Sequence, residues 1–283
     1  MFGVRRFAQP RTACRGQKAI SDAGERTGTY RFVACTPHGS MGFLTPEQID
    51  GFWRTGFLVV EHLVPPGDLV RIRRLLTTLF ARFHELPERH AVDLGDEGRH
   101  AGRPQIPEIN WTLRLAPELQ RTRTFAAARD VASELLASPA EYTGFDHAIL
   151  KPPHNERATP WHQDEAYVGH GHLPITVHFW IPVQDVPIEM GCMQFIPGSH
   201  LGPILPHHPR AHRQNAHVME VDGVDAARAV ACPLRAGDAT VHLPHTLHQT
   251  GPNMTDDARV AWILEFGLAR PCLRWRAWLG PRS

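Results

Sequence analysis

The chain has 283 residues, enough for one large domain with a substantial core or at most two small ones. Its 30 basic and 29 acidic side chains leave a formal net charge of +1, so no global field attracts nucleic acid or an anionic membrane. The 23 Gly and 25 Pro suit a turn-rich β protein better than a helical bundle, and no run approaches the roughly 20 apolar residues of a membrane span.

Residues 1–43 carry Arg5, Arg6, Arg11, Arg15, Lys18, Arg26 and Arg31 against only Asp22 and Glu25, with little apolar periodicity. A disordered extension is expected there. A transit segment would show an amphipathic stripe and more serines. Met41, just before the first helical pattern, offers an alternative start. Residues 44–283 are expected to form one domain.

Thr45-Pro46-Glu47-Gln48 reads as an N-cap with Pro at the first helical position and Gln at the capping-box position. Ile49, Phe52 and Trp53 share one helical face, and Gly56 is the stop. Phe57–Val60 is a short buried strand. A second helix starts near Pro66, with Leu69, Ile72, Leu76, Leu79 and Phe83 spaced as a core stripe. The polar, Gly- and Pro-containing stretch 91–110 reads as a loop, and a further helix is expected over about 117–138.

Beyond residue 140 strands and turns take over. The expected strands are Phe145–Lys151, Ile175–Val183, Cys192–Ile196, Ala229–Leu234, Ala239–Leu243 and Arg259–Phe266, separated by Pro152-Pro153, Pro197-Gly198-Ser199, Gly237-Asp238 and Gly251-Pro252-Asn253. Helices followed by many short strands give an α+β, mainly β class, with a sandwich or barrel in the second half. The His-rich stretch Pro206–His217 lacks the period that would converge its histidines, and reads as a mobile loop. Five scattered cysteines without a C-x-x-C spacing fit a reducing compartment, and the expected location is cytoplasmic. Lys18 and Lys151 are the only lysines.

The chemistry is concentrated in Trp161-His162-Gln163-Asp164, answered 84 residues after the aspartate by His248, and then by Arg259. Two His and one carboxylate on one face of an octahedron leave three cis positions for a chelating keto acid and O2. On an extended backbone, residues i and i+2 point the same way, so His162 and Asp164 can reach one ion. A later Arg suits a dicarboxylate. The pattern points to a non-haem Fe(II) oxygenase that uses 2-oxoglutarate. About one His-x-acid match is expected by chance, and His154-Asn155-Glu156 is a second one here. His242, His245 and His248 all compete for the distal position.

Residues 44–266 resemble the phytanoyl-CoA dioxygenase family. The resemblance runs through Leu44–Gln48, Gly56–Val60, Lys151-Pro152-Pro153, Trp161–Asp164, Gly191-Cys192, Pro197–His200, Gly237-Asp238, His248–Asn253 and Arg259. It implies a double-stranded β-helix (jelly roll, cupin-like) with N-terminal helices packed on one sheet, and His162, Asp164 and His248 as iron ligands. It also implies that Arg259, eleven residues after His248, holds the far carboxylate of 2-oxoglutarate, aided by Thr250, Lys151 and Trp180. Tyr167 and Gln163 would face substrate, and His200 would be a turn residue. Met190-Gly191 replaces a commoner Asn-Gly turn, and the long 205–227 insertion is not a family feature.

In related halogenases a small residue replaces the carboxylate. Asp164 therefore implies hydroxylation of an unactivated C–H, coupled to decarboxylation of 2-oxoglutarate to succinate and CO2, with Fe(II), 2-oxoglutarate and O2 required. The expected partner is a small-molecule substrate, with no nucleic acid or membrane. The alternatives are a cupin-type metal-dependent hydrolase or isomerase, which needs neither Arg259 nor Thr250, and a non-catalytic β-helix binding module.

Overall fold

In the computed structural model, residues 42–95, 104–167, 175–209 and 219–268 are described. Residues 1–41, where the disordered extension was expected, lie outside them, as do His212 and His217. Where the described residues begin, the Glu134 carboxylate accepts hydrogen bonds from both Phe43 N and Leu44 N, at 2.9 Å each.

The capping box forms as its spacing predicts. Thr45 Oγ1 accepts from Gln48 N, and Gln48 Oε1 accepts from Thr45 N, opening α1 (Pro46–Thr55). Gly56, at φ 89°, ends that helix in the left-handed conformation that glycine adopts without steric cost. β1 (Phe57–Val60) and α2 (Pro66–Ala81) follow, the helix burying Ile72, Leu76 and Leu79.

Stretch 91–110 is not simply a loop. β2 (Ala91–Asp93) and β3 (Pro107–Asn110) pair antiparallel, and β3 extends a larger sheet. Asp93 makes this possible: its carboxylate accepts from Gly95 N, Gln105 N and Ile106 N, closing the connection without apolar alternation. A short α3 (Thr112–Leu115) follows. The helix expected over 117–138 is split into a 3-10 turn, Pro117–Arg121, and α4 (Arg123–Leu135). Thr122 restarts it, with extended backbone and a side chain that accepts from Phe125 N.

The remaining elements are strands. They are β4 (Ala140–Lys151), β5 (Thr159–His162), β6 (Thr176–Pro182), β7 (Met193–Phe195), β8 (His208–Pro209), β9 (Met219–Glu220), β10 (Val230–Cys232), β11 (Ala239–His242), β12 (His248–Thr250) and β13 (Arg259–Leu268). The expected strands are all present within a few residues. β5 and β12, which carry the His-x-Asp and distal His segments, join the set. Part of the expected His-rich loop is ordered as well, because β8 pairs with β9.

Among the described residues the main sheet has the order β1-β11-β6-β13-β4-β3-β2, and a second sheet the order β10-β7-β12-β5. Every strand pair is antiparallel. On β13 the alternation is strict. Val260, Trp262, Leu264 and Phe266 join a core with the helices, including Phe52, Ile72, Leu76 and Val131. Ala261 and Ile263 point the other way, with Trp180, to meet Cys192, Met193, Phe195 and Cys232 of the second sheet. Phe57 stacks on Phe195 at 4.5 Å between the two sheets. The result is a double-stranded β-helix with its N-terminal helices packed on the outer face of one sheet. Each large apolar side chain so buried contributes roughly 1.5–3 kcal/mol.

Candidate metal centre and co-substrate pocket

Two cross-strand histidine pairs face each other inside the barrel. His248 of β12 is the register partner of His162 on β5, and His242 of β11 is the partner of His178 on β6. Asp164 lies between them. It is not on the strand, as simple i, i+2 alternation predicts: β5 ends at His162, and Asp164 opens a 3-10 turn, Asp164–Tyr167. The turn brings the carboxylate inward by a different route.

One Asp164 oxygen, Oδ1, lies 3.3 Å from His162 Nε2 and 3.4 Å from His248 Nε2. The other, Oδ2, lies 2.8 Å from His178 Nδ1 and 3.3 Å from His242 Nε2. Both triplets have the compactness of a metal-binding group. Proton placement separates them. His162 Nδ1 sits 2.7 Å from Pro160 O, and His248 Nδ1 2.8 Å from Thr246 O. A carbonyl only accepts, so each ring carries its proton on Nδ1 and aims a bare Nε2 lone pair at Asp164 Oδ1. Three acceptors then converge with no proton between them, an arrangement that calls for a cation. His178 and His242 have no such carbonyl on the far nitrogen: His178 Nε2 is 3.3 Å from the Thr176 hydroxyl, and His242 Nδ1 is buried without a partner. Their protons are free to point at Oδ2.

Burial pushes the Asp164 carboxyl up, but the four histidines around it outweigh burial and hold the group well below its ordinary range. Burial pushes His248 down, against the pull of Asp164, and lowers His242 to about 3. His178 is raised in spite of burial, by Glu265 and Asp164.

Beyond the histidines, Lys151 and Arg259 stand opposite one another on β4 and β13. They are 0% and 1% exposed, and neither meets a carboxylate among the described residues. Lys151 Nζ donates to Thr250 Oγ1 at 3.1 Å and Gly251 O at 2.6 Å. Arg259 Nη1 donates to Gly191 O at 2.9 Å, its Nε has no partner, and its guanidinium lies 5.3 Å from the Trp180 ring centre. Burial lowers Arg259 to about 10, and burial together with Arg259 holds Lys151 well below its ordinary value. Two buried, incompletely satisfied cations beside a hydroxyl have the chemistry to receive a carboxylate.

The structure thus gathers His162, Asp164 and His248, and next to them Thr250, Lys151, Arg259 and Trp180. Tyr167 is at the rim, 43% exposed, its ring edge on His162 at 6.0 Å and its hydroxyl accepting from Met219 N. Gln163, expected beside substrate, is held by neighbouring loops. It is fully buried; its amide nitrogen donates to His245 O and Pro203 O, and its amide oxygen accepts from Leu205 N. In the turn after His162 its side chain points away from Asp164 and becomes a staple between loops. Of the rival distal histidines, His245 is bound to Glu165 and Gly202 O, away from the centre. His242 reaches Asp164 as a second-row donor. His178 escaped sequence reading altogether; its one signal was a lone His at an alternating position of an apolar strand. His200 is a turn residue as expected, with its Nε2 on Trp53 O at 3.0 Å, while His154 pairs with Asp256 in solvent.

Fold and donor set define a cupin-like barrel with a compact two-histidine, one-carboxylate group and two adjoining buried basic side chains. Residues 52–261 match the family model described as Phytanoyl-CoA dioxygenase (PhyH), and the chain belongs to that family. It is 24% identical over 243 residues to a probable phytanoyl-CoA dioxygenase of Caenorhabditis elegans, covering 81% of this chain and 76% of the relative. Among solved structures, EvdO2 from Micromonospora carbonacea var. aurantiaca superposes with a TM-score of 0.70 at 33% identity, over 83% of this chain and 97% of that one. EvdO2 complexed with 2-oxoglutarate gives 0.68 at 30% identity, with the same coverage. The epimerase SnoN in complex with Fe3+, alpha ketoglutarate and nogalamycin RO shares the fold, with a TM-score of 0.58 at 24% identity over 79% of this chain and 83% of that one. No helix among the described residues is long and apolar enough to cross a membrane.

Proposed function

We propose that this chain is an Fe(II)- and 2-oxoglutarate-dependent dioxygenase that hydroxylates an unactivated C–H of a small molecule. In the balanced reaction one oxygen atom of O2 enters the substrate as hydroxyl and the other enters succinate, as 2-oxoglutarate loses CO2. Residues 44–283 form the catalytic domain. The observation that carries the reading is the convergence of His162 Nε2, His248 Nε2 and Asp164 Oδ1, with both imidazole protons fixed on the far nitrogens.

These three residues would hold the iron, which supplies the activation of O2. The protein's share is placement. Arg259 takes the distal carboxylate of 2-oxoglutarate with Thr250, and Lys151 adds a second positive charge. Trp180 backs the guanidinium and keeps water from it. His178 and His242 donate to Asp164 Oδ2, leaving only Oδ1 for the metal and keeping coordination positions open. Tyr167 lies where substrate would enter. A hydrolase or isomerase on this barrel would have no use for two buried cations that meet no carboxylate among the described residues, and a degenerate binding module no use for an intact donor set.

Hydroxylation is favoured over halogenation because a carboxylate occupies position 164. The same barrel serves an epimerase, so the oxidation outcome rests on this chain's own product. The location we infer is cytoplasmic, supported by the free, buried thiols of Cys192 and Cys232. Anaerobic addition of Fe(II) and then 2-oxoglutarate tests the reading: a weak visible charge-transfer band is expected. Folded protein that gives none would refute it.

A further inference from the structure

The turn that carries Asp164 needs support from outside itself. Asp164 lies off β5, at the start of one 3-10 turn, where Ala166 N donates to Gln163 O at 3.0 Å. A turn of this kind has poor hydrogen-bond geometry and fixes its own path weakly. His178 and His242 orient the Asp164 carboxylate; the backbone that carries it is placed by other contacts.

Three of those contacts converge on Pro244-His245, in the loop that leads to His248. Glu165 N donates to Pro244 O at 3.1 Å, and Gln163 Nε2 donates to His245 O at 2.8 Å. Glu165 Oε2 lies 2.8 Å from His245 Nδ1, and His245 Nε2 lies 2.9 Å from Gly202 O. An ionised carboxylate and a carbonyl only accept, so both ring nitrogens donate and His245 is an imidazolium. Its bond to Glu165 is charge-assisted, between side chains 25% and 26% exposed. The loop is firm on its other side. Thr246 N donates to Leu243 O and Leu247 N to Ser199 Oγ, both at 2.9 Å, while Thr246 O holds the Nδ1 proton of His248. The turn has further ties that preserve its path: Gln163 N donates to His207 Nε2 at 2.9 Å, and Gln163 Oε1 accepts from Leu205 N.

We propose that Glu165 and His245 are a positioning pair for the metal centre. They fix the Asp164 turn against the loop that bears His248, and so set the 3.4 Å separation of Asp164 Oδ1 and His248 Nε2. The inference rests on the oxygenase reading above, with His162, Asp164 and His248 as the metal ligands. The pair acts through the backbone: Glu165 directly follows Asp164, and His245 precedes His248 by three residues. Its loss loosens two of the three donors against each other and leaves Arg259 and Lys151 in place.

The test is anaerobic titration of the full-length protein with Co(II), followed by its visible d–d absorption, with Fe(II) uptake measured in parallel. The unaltered chain should bind one ion. Glu165→Ala and His245→Ala should each weaken Co(II) binding about tenfold, the low end of what loss of an outer partner costs, and change the shape of the absorption. The double variant should match either single one within about twofold, because one interaction has been removed twice. Glu165→Gln keeps an acceptor for His245 Nδ1 without the charge, and should recover part of the loss. The 2-oxoglutarate requirement at saturating iron should stay within about twofold. The metal-free variants should melt near the unaltered chain, since partly exposed ion pairs add little stability. Unchanged affinity in both alanine variants, losses that multiply in the double variant, an equal shift in the 2-oxoglutarate requirement, or a melting point that falls in step with affinity each overturn the proposal. If an alanine variant does not fold, Glu165→Gln decides: a changed Co(II) spectrum supports the pair, and an unchanged one overturns it. An unaltered chain that takes up no Co(II) defeats the oxygenase reading as well, whereas normal uptake with unmoved variants defeats the positioning pair alone.

Discussion

Arg259 and Lys151 are direct cross-strand partners, both buried inside the barrel, and among the described residues their side chains donate only to Gly191 O, Gly251 O and the Thr250 hydroxyl. Two like charges at adjacent register positions destabilise a sheet unless something offsets them. A bound dicarboxylate would do so.

Arg259→Ala should raise the 2-oxoglutarate requirement by on the order of 100-fold, the roughly 2–5 kcal/mol of a truncated buried charge pair. The Fe(II) requirement should move far less, because no iron-ligand atom touches the guanidinium. Steady-state titration of each cofactor separates the two, and equal shifts would contradict the assignment.

Lys151 gives a pH signature. Burial and Arg259 hold its ammonium well below the ordinary value in the free protein, and a bound carboxylate would pull it back up. Binding then takes up a proton in the window between the two values, and 2-oxoglutarate affinity falls as pH rises through that window. Calorimetry in buffers of different ionisation enthalpy reads the uptake directly. Lys151→Met should abolish it; proton release on binding would be inconsistent with this role.

His178 donates from Nδ1 to Asp164 Oδ2 at 2.8 Å. His178→Leu should weaken Fe(II) binding about 10–100-fold, as loss of an outer partner of a metal ligand typically does. His178→Asn, whose amide nitrogen can stand near the Nδ1 position, should recover much of it. Metal analysis should return one ion per chain; two would mean that His178 and His242 are ligands themselves.

Gly191→Ala is the sharpest steric test. Gly191 has φ +79°, and a Cβ there would lie 2.4 Å from Gly251 O. That carbonyl accepts from Lys151, and Gly191 O accepts from Arg259. The substitution should cost about 1–3 kcal/mol of stability and weaken 2-oxoglutarate more than iron. Thermal melts alongside cofactor titrations check both.

Sequence legibility followed locality. The capping box at Thr45–Gln48, the stop at Gly56 and the apolar stripe of α2 are set by neighbours within a few residues, and all three form as predicted. So do the strands beyond residue 140, because their turns are marked by Gly and Pro. β2 and β3 were hidden because a carboxylate, Asp93, closes them and pairing across the sheet sustains them. Asp164 was found for a reason that does not hold in detail: it reaches the site through a turn, not along a strand. His178 and Glu265 acquire meaning only from the register of β6 with β13 and β11, which no local pattern encodes. Gln163 stands in sequence between two candidate metal ligands, while its own side chain serves the loops at Pro203, Leu205 and His245.

The cap of the first helix has an effect beyond ending it. Gly56 O receives Leu243 N and the Thr246 hydroxyl, and Thr246 O in turn holds the Nδ1 proton of His248. A Cβ on Gly56 would meet both His200 Nδ1 and Thr246 Oγ1 at 2.5 Å. A random screen for variants that lose iron should therefore return Gly56 among its hits, although it precedes the barrel and touches no ligand. The aim of the distal histidine is calibrated from outside the barrel.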